Sequence, residues 1–184
     1  MAIYENVFSN FEIKDSSIKF DGEEAYTKVG CVGSIEEEME TITVTKKCEG
    51  LVVKSVTRGT GSGELTLSLH IKYDLYVKMF GMESDKLKEG VVAYGKDSRH
   101  NCFSFVARVL DEDGNEKLIA YPNLIVQSGI ASTIENGAEE VAEIEITVVV
   151  QPDENGFGKY EAIASEIDAN TWLTSFTPEL VKKV

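Results

Sequence analysis

Proline is nearly missing from this chain, with 3 residues in 184. So little proline beside 42% apolar residues excludes a disordered chain and predicts a folded one. Cysteine is scarce too. Cys31, Cys48 and Cys102 are odd in number and lack metal-type pairing, so they read as reduced thiols acting as small apolar side chains. Basic residues are outnumbered, 18 against 32 acidic, for a formal net charge of −14. That balance argues against a protein that grips nucleic acid through its phosphates. It leaves room for a surface that nucleic acid must pass without sticking, and it favours solubility. No stretch approaches the roughly 20 apolar residues of a membrane span. The opening MAIYENVFSNFEIKD has neither a basic leader region nor an apolar one, and no glycosylation sequon occurs. The expectation is a single domain over residues 1–184, made in a cytoplasm, with no membrane partner.

What the chain does have is strand signal. Leu65, Leu67, Leu69 and Ile71 alternate with Thr66, Ser68, His70 and Lys72, the pattern of a half-buried strand. It runs into a short helical stretch in which Asp74 is placed to cap the start and Gly81 to end it. Val91–Tyr94 reads as the strand that follows. Residues 1–15 read as an N-terminal arm with irregular apolar residues, Tyr4 among them, and residues 166–184 as a C-terminal tail holding one helical turn. Ser17–Phe20 and Ala25–Val29 form a plausible pair.

From Ile35 to Lys46 the apolar parity switches between Ile35/Met39 and Ile42/Val44, which predicts a bulge or a change of environment. Leu51–Thr57 would pair back across a turn at Lys46–Gly50. The glycines of RGTGSGE then read as a flexible connection. Phe103, Phe105, Ala107 and Val109 share a face, and Asp111-Glu112-Asp113-Gly114-Asn115 is a hairpin turn. Strands at Lys117–Tyr121, Leu124–Gln127, Val141–Val150 and Tyr160–Ala164 complete the reading. The fold class expected is mainly β, an antiparallel β-sandwich or barrel with one short flanking α-helix.

Tests for chemistry return little. Gly59-x-Gly61-x-Gly63 lacks the spacing and context of a dinucleotide loop. The glycine of Asp111–Asn115 falls too early for a calcium loop. His100 and Cys102 are close in sequence, but a zinc site needs further ligands to converge. The Glu36–Glu40 cluster has no marked carboxylate partner for glycoside hydrolysis. No catalytic, cofactor-binding or metal-binding residue is assigned, and no enzyme activity is expected.

The stretch Leu65–Met82, the following EGVVAYGKD, and the strand and hairpin FSFVARVLDEDGNEKLIAYPNLIV resemble the major tail proteins of long-tailed phages, nearest to those of Gram-positive hosts. The resemblance runs from about Gly22 to Val150. It implies a structural virion protein that assembles in the host cytoplasm. Six copies would form a ring, and rings would stack into a tail tube that conducts DNA without binding it specifically. The implied partners are further copies of the chain and other tail proteins, such as the tape measure and the terminator. No cofactor is implied. Some members carry an added immunoglobulin-like domain, and none is expected here.

Within that frame Ile42, Val44, Leu51 and Val53 are the expected apolar surface of a self-assembly hairpin, since exposed strand edges invite pairing and a ring closes them. The other reading is an ordinary core hairpin. Two other functions stay open: a β-sandwich module binding carbohydrate or protein, and another tail component of similar fold such as a terminator.

Overall fold

The computed structural model describes residues 7–137 and 139–183. Tyr4 of the expected arm therefore lies outside the described residues, as does Val184 of the tail. The strands are β1 (Glu12–Phe20), β2 (Thr27–Lys28), β3 (Gly30–Cys48), β4 (Leu51–Ile71), β5 (Phe103–Leu110), β6 (Glu116–Val126), β7 (Ile144–Gln151) and β8 (Tyr160–Ile163). Helix α1 (Tyr73–Met79) follows β4, and α2 (Ala169–Ser175) follows β8. All pairings are antiparallel, in the order β2-β1-β5-β6-β7-β4-β3, with β8 added to β6.

The fold is mainly β, as the alternation predicts. The two ends of the sheet meet: Val29, between β2 and β3, donates its N–H to the Ser16 carbonyl of β1 at 3.1 Å. One chain segment thus pairs first with β1 and then with β4, wrapping the sheet around a core. That core holds Leu65, Leu67 and Leu69 of β4, Phe103, Phe105, Ala107 and Val109 of β5, and Ile146, Val148 and Val150 of β7. Leu75, Met79 and Phe80 from α1 and its end join the same cluster.

A second, smaller core lies on the opposite face of β5 and β6, where Val106, Leu118 and Ala120 meet Trp172, Leu173 and Phe176. The Trp172 indole N–H donates to the Ile119 carbonyl at 3.2 Å, and the residue is only 1% exposed. So the fold has two short helices rather than one. Much of the expected C-terminal tail is packed structure. Asp168 caps α2 by accepting from the N–H groups of Asn170 and Thr171.

Several boundaries differ from the sequence reading. β1 begins at Glu12, so the last residues of the expected arm are strand; Ile13 pairs with Val109. Leu51–Thr57 and Leu65–Ile71 are not separate strands joined by a flexible loop. They are one strand, because Gly59 and Gly63 sit in register opposite Thr41 and Met39. Val91–Tyr94 is not a strand; its backbone is tied to the helix end by one bond, from the Ala93 N–H to the Met82 carbonyl. Asp74 does not cap α1. Lys72 stands at the cap with no side-chain bond, and Asp74 lies inside the first turn.

Other features stand as read. Gly81, at φ +58°, closes α1 with its N–H on Lys78 and the next N–H, of Met82, on Val77. The Asp111 carboxylate holds its turn by accepting from the backbone N–H groups of Asp113 and Asn115. Burial pushes this carboxyl up, but the Asn115, Asp113 and Gly114 donors outweigh it and hold it below its ordinary value.

Candidate assembly surface

β3 and β4 together make a hairpin far longer than the barrel needs. Their bases belong to the barrel, but every residue from Thr41 to Gly59 is exposed. The register shifts between Met39 and Thr41, at the point where the parity of the apolar residues changes. Beyond it the ladder resumes: Ile42 faces Arg58, Thr43 faces Thr57, Val44 faces Val56 and Lys46 faces Lys54. Glu49, at φ +50°, and Gly50, at φ +83°, make the turn, a conformation that glycine adopts freely and glutamate rarely.

This ladder has two chemically distinct faces. Paired residues in an antiparallel ladder share a side, and neighbours along a strand alternate. One side carries Ile42, Val44 and Val56 with Lys46, Lys54 and Arg58. The other carries Thr43, Thr45, Ser55 and Thr57, and the hydroxyls of Thr43 and Thr57 lie 2.8 Å apart.

The four residues expected to form the surface are all exposed: Ile42 47%, Val44 60%, Leu51 73% and Val53 57%. None of the four belongs to either core cluster of the described residues. Ile42 and Val44 share the apolar-basic side. Leu51 and Val53 sit near the tip, where a second register shift falls between Lys46 and Lys47. The sequence reading missed Val52 and Val56, both exposed, and the basic side chains beside them. Counting back from the turn at Glu49-Gly50 would pair Val44 with Ser55; the register shift between Lys46 and Lys47 is what brings it opposite Val56.

Lys46, Lys47, Lys54 and Arg58 form no ion pair among the described residues. At the base of the same strands, Glu36, Glu38 and Glu64 point away from the buried Leu65 and Leu67 and are likewise unpaired. Glu37 takes the other side. It accepts from the Tyr121 hydroxyl at 2.5 Å and pairs with Lys159 at 2.5 Å, and Lys159 reaches Glu161 at 2.7 Å. Burial, and then the bond to Glu37, push the Tyr121 hydroxyl far above its usual range. The Glu36–Glu40 run is thus split between two sides of β3.

The other candidates for chemistry dissolve in the same way. His100 has both ring nitrogens engaged, with the Val126 carbonyl at 2.7 Å and the Tyr94 hydroxyl at 3.0 Å. Burial, and secondarily Asp21, push the Cys102 thiol up rather than toward a metal-ready thiolate. Among the described residues no group of three or more His, Cys, Asp or Glu side chains could hold a metal ion. No helix among them is long and apolar enough to cross a membrane.

No family model and no curated protein matches the chain. Three solved structures show a limited likeness to it. The tube-terminating cap of the anti-feeding prophage is 14% identical, with 89% of this chain and all of that chain covered, at a TM-score of 0.42. A chain of the sheath–tube complex of the PVC extracellular contractile injection system, in its extended state, is 12% identical over 80% of this chain and 88% of its own, at 0.42. A chain of the sixfold-symmetrised anti-feeding prophage baseplate is 9% identical over 87% and 97%, at 0.44. At such identities and scores the likeness does not decide a function.

Proposed function

We propose that this protein is a structural, non-enzymatic subunit of a phage tail. It self-assembles into hexameric rings that stack into the tail tube, the conduit for DNA ejection. The observation that carries this reading is the outer hairpin: residues 41–59 are regular strand-and-turn with every side chain exposed, and six of them are Ile, Val or Leu. A two-stranded hairpin alone in water is marginal, and apolar residues gathered on such an arm mark a surface awaiting a partner.

The resemblance of Leu65–Met82 and Phe103–Val126 to major tail proteins supplies the kind of partner, a further copy of the chain. Tape-measure and terminator proteins follow as tail partners, and the virion as the final location after assembly in the host cytoplasm. The net charge of −14 suits a channel that repels DNA phosphates and lets the duplex slide.

The test is negative-stain microscopy and sedimentation of concentrated protein, beside the double variant Leu51→Lys/Val53→Lys. Rings or tubes of uniform width are expected from the parent, and folded, soluble monomers from the variant. A parent that stays monomeric at every concentration overturns the proposal and favours the binding module. Unfolded variant protein returns these residues to a structural role.

A further inference from the structure

We infer that the hairpin's apolar-basic face docks on the acidic base of the same two strands in the next copy of the chain, tip to base. This rests on the assembly reading above and adds the partner surface and the polarity of the contact.

The ribbon formed by β3 and β4 is charge-segregated along its length. At the base Glu38 lies directly across from Glu64, with Glu36 beside them. Toward the tip Lys46 lies directly across from Lys54, with Arg58, opposite Ile42, four residues back toward the base. Like charges placed directly opposite on neighbouring strands repel. Neither pair is relieved by an ion pair among the described residues, so the isolated chain carries both repulsions.

Eight residues of strand, about 26 Å, separate the two pairs. That is well beyond the roughly 8 Å over which salt lets exposed charges interact. The chain therefore cannot neutralise one with the other, but two chains can. From Thr41 to Arg58 there are four basic side chains and one acidic, a net +3; the rest of the chain has 14 basic and 31 acidic, a net −17. A basic arm on an otherwise acidic molecule finds its complement on most of its own copies. Glu36, Glu38 and Glu64 form a face at the foot of the same ribbon. Tip-on-base contact is heterologous, so it propagates in one direction, as a stack requires. Ile42, Val44 and Val56 supply the apolar part of the contact, and the basic side chains supply steering and register.

The experiment is a charge swap on the full chain. One variant carries Lys46→Glu, Lys54→Glu and Arg58→Glu, so that tip and base are both acidic. The other carries Glu36→Lys, Glu38→Lys and Glu64→Lys, so that both are basic. Each alone is expected to need at least about tenfold more protein to assemble than the parent. An equimolar mixture is expected to regain assembly, because each tip then meets a complementary base. Far-UV circular dichroism and Trp172 fluorescence check the fold of each.

Variants that assemble like the parent overturn the inference, and so does a mixture no better than its components. Should a variant fail to fold, a salt series on the parent decides. Assembly weakened between 0.05 and about 1 M salt supports the docking; assembly unchanged or strengthened overturns it. A parent that never assembles removes the assembly reading itself, and the docking with it.

Discussion

Along β3 and β4 the backbone pairing is continuous, yet its two halves live in different surroundings. At the base, Leu65, Leu67 and Leu69 are buried, β7 pairs with the far edge of β4, and α1 closes over the same core. From Thr41 and Gly59 outward the same two strands run on with no third strand and no core among the described residues. The comparison teaches that hydrogen-bonded pairing and burial are separable here. The base contributes to the stability of the single chain, whereas the outer half adds exposed surface, which the proposed assembly would use as a contact between chains. The two halves should therefore answer mutation in different assays.

The base should be the costly end. Leu67 is 2% exposed and packed among β7 and β5 side chains, so Leu67→Ala is expected to cost about 2–5 kcal/mol of monomer stability. Urea unfolding followed by Trp172 fluorescence measures it. A cost under about 1 kcal/mol would mean that the base is no more a core than the outer half, and the contrast would fail.

The junction comes next. A Cβ on Gly63 would stand 2.6 Å from the Glu38 carbonyl and 2.8 Å from the Met39 sulfur. Gly63→Ala must push β3 away where the ribbon leaves the barrel, at an expected cost of about 1–3 kcal/mol. The same variant is expected to assemble less well, since it tilts the arm. Full assembly beside lost stability would show that the arm's aim is not set at this point.

A smaller effect belongs to the charged bridge behind the base, where Glu37, Lys159 and Glu161 tie β3 to β8 and its approach. Burial pushes Glu161 up, but Lys159 and then Lys117 outweigh it and hold the carboxyl below its ordinary 4.5. Its contribution is present above pH 4.5 and is lost as the pH falls through the lowered value. Burial pulls Lys159 down, but the carboxylates of Glu161 and Glu37 outweigh it and raise the ammonium above 10.5; that contribution is lost as the pH rises past this value. With Glu161 partly exposed, the expected size is under about 1 kcal/mol. Unfolding midpoints of the parent and Glu161→Gln at pH 3.5 and 7 check it: the gap between them should narrow in acid.

How much of this could be read in the residues depends on where physics is local. The alternation of Leu65–Ile71, the shared face of Phe103–Val109 and the turn at Asp111 are set by neighbours in sequence, and each stands in the structure. The parity switch at Met39–Ile42 marked the place where the register shifts. The glycines of residues 59–63 misled, because glycine flexibility is intrinsic while their strand pairing depends on β3, with Gly59 opposite Thr41 and Gly63 opposite Met39, 18 and 24 residues away. Trp172 and Phe176 gave no alternation to read. Their burial depends on the outer face of β5 and β6, which sequence patterning treats as solvent-facing. Ile42, Val44, Leu51 and Val53 could be picked out as apolar and β-branched, but only the fold shows that no part of the described chain covers them.

The sharpest form of the contrast is a substitution that is silent in one half and costly in the other. Val44 and Val56 face each other on the arm, both exposed. Val148, in β7 opposite Leu65, is fully buried. Threonine keeps the branched Cβ and the strand preference of valine, replacing one methyl with a hydroxyl. Val148→Thr buries that hydroxyl among leucines and is expected to cost about 1–3 kcal/mol. On the arm the hydroxyl stays in water, so Val44→Thr/Val56→Thr is expected to shift monomer stability by no more than about 0.5 kcal/mol. If a partner covers this face, the same two methyls are buried only on assembly, at about 0.8 kcal/mol each, and the concentration needed for assembly should rise about tenfold. Sedimentation reads the second effect and denaturant unfolding the first. Equal and small effects in both assays would leave the arm with stability from its own ladder and no partner to explain its valines.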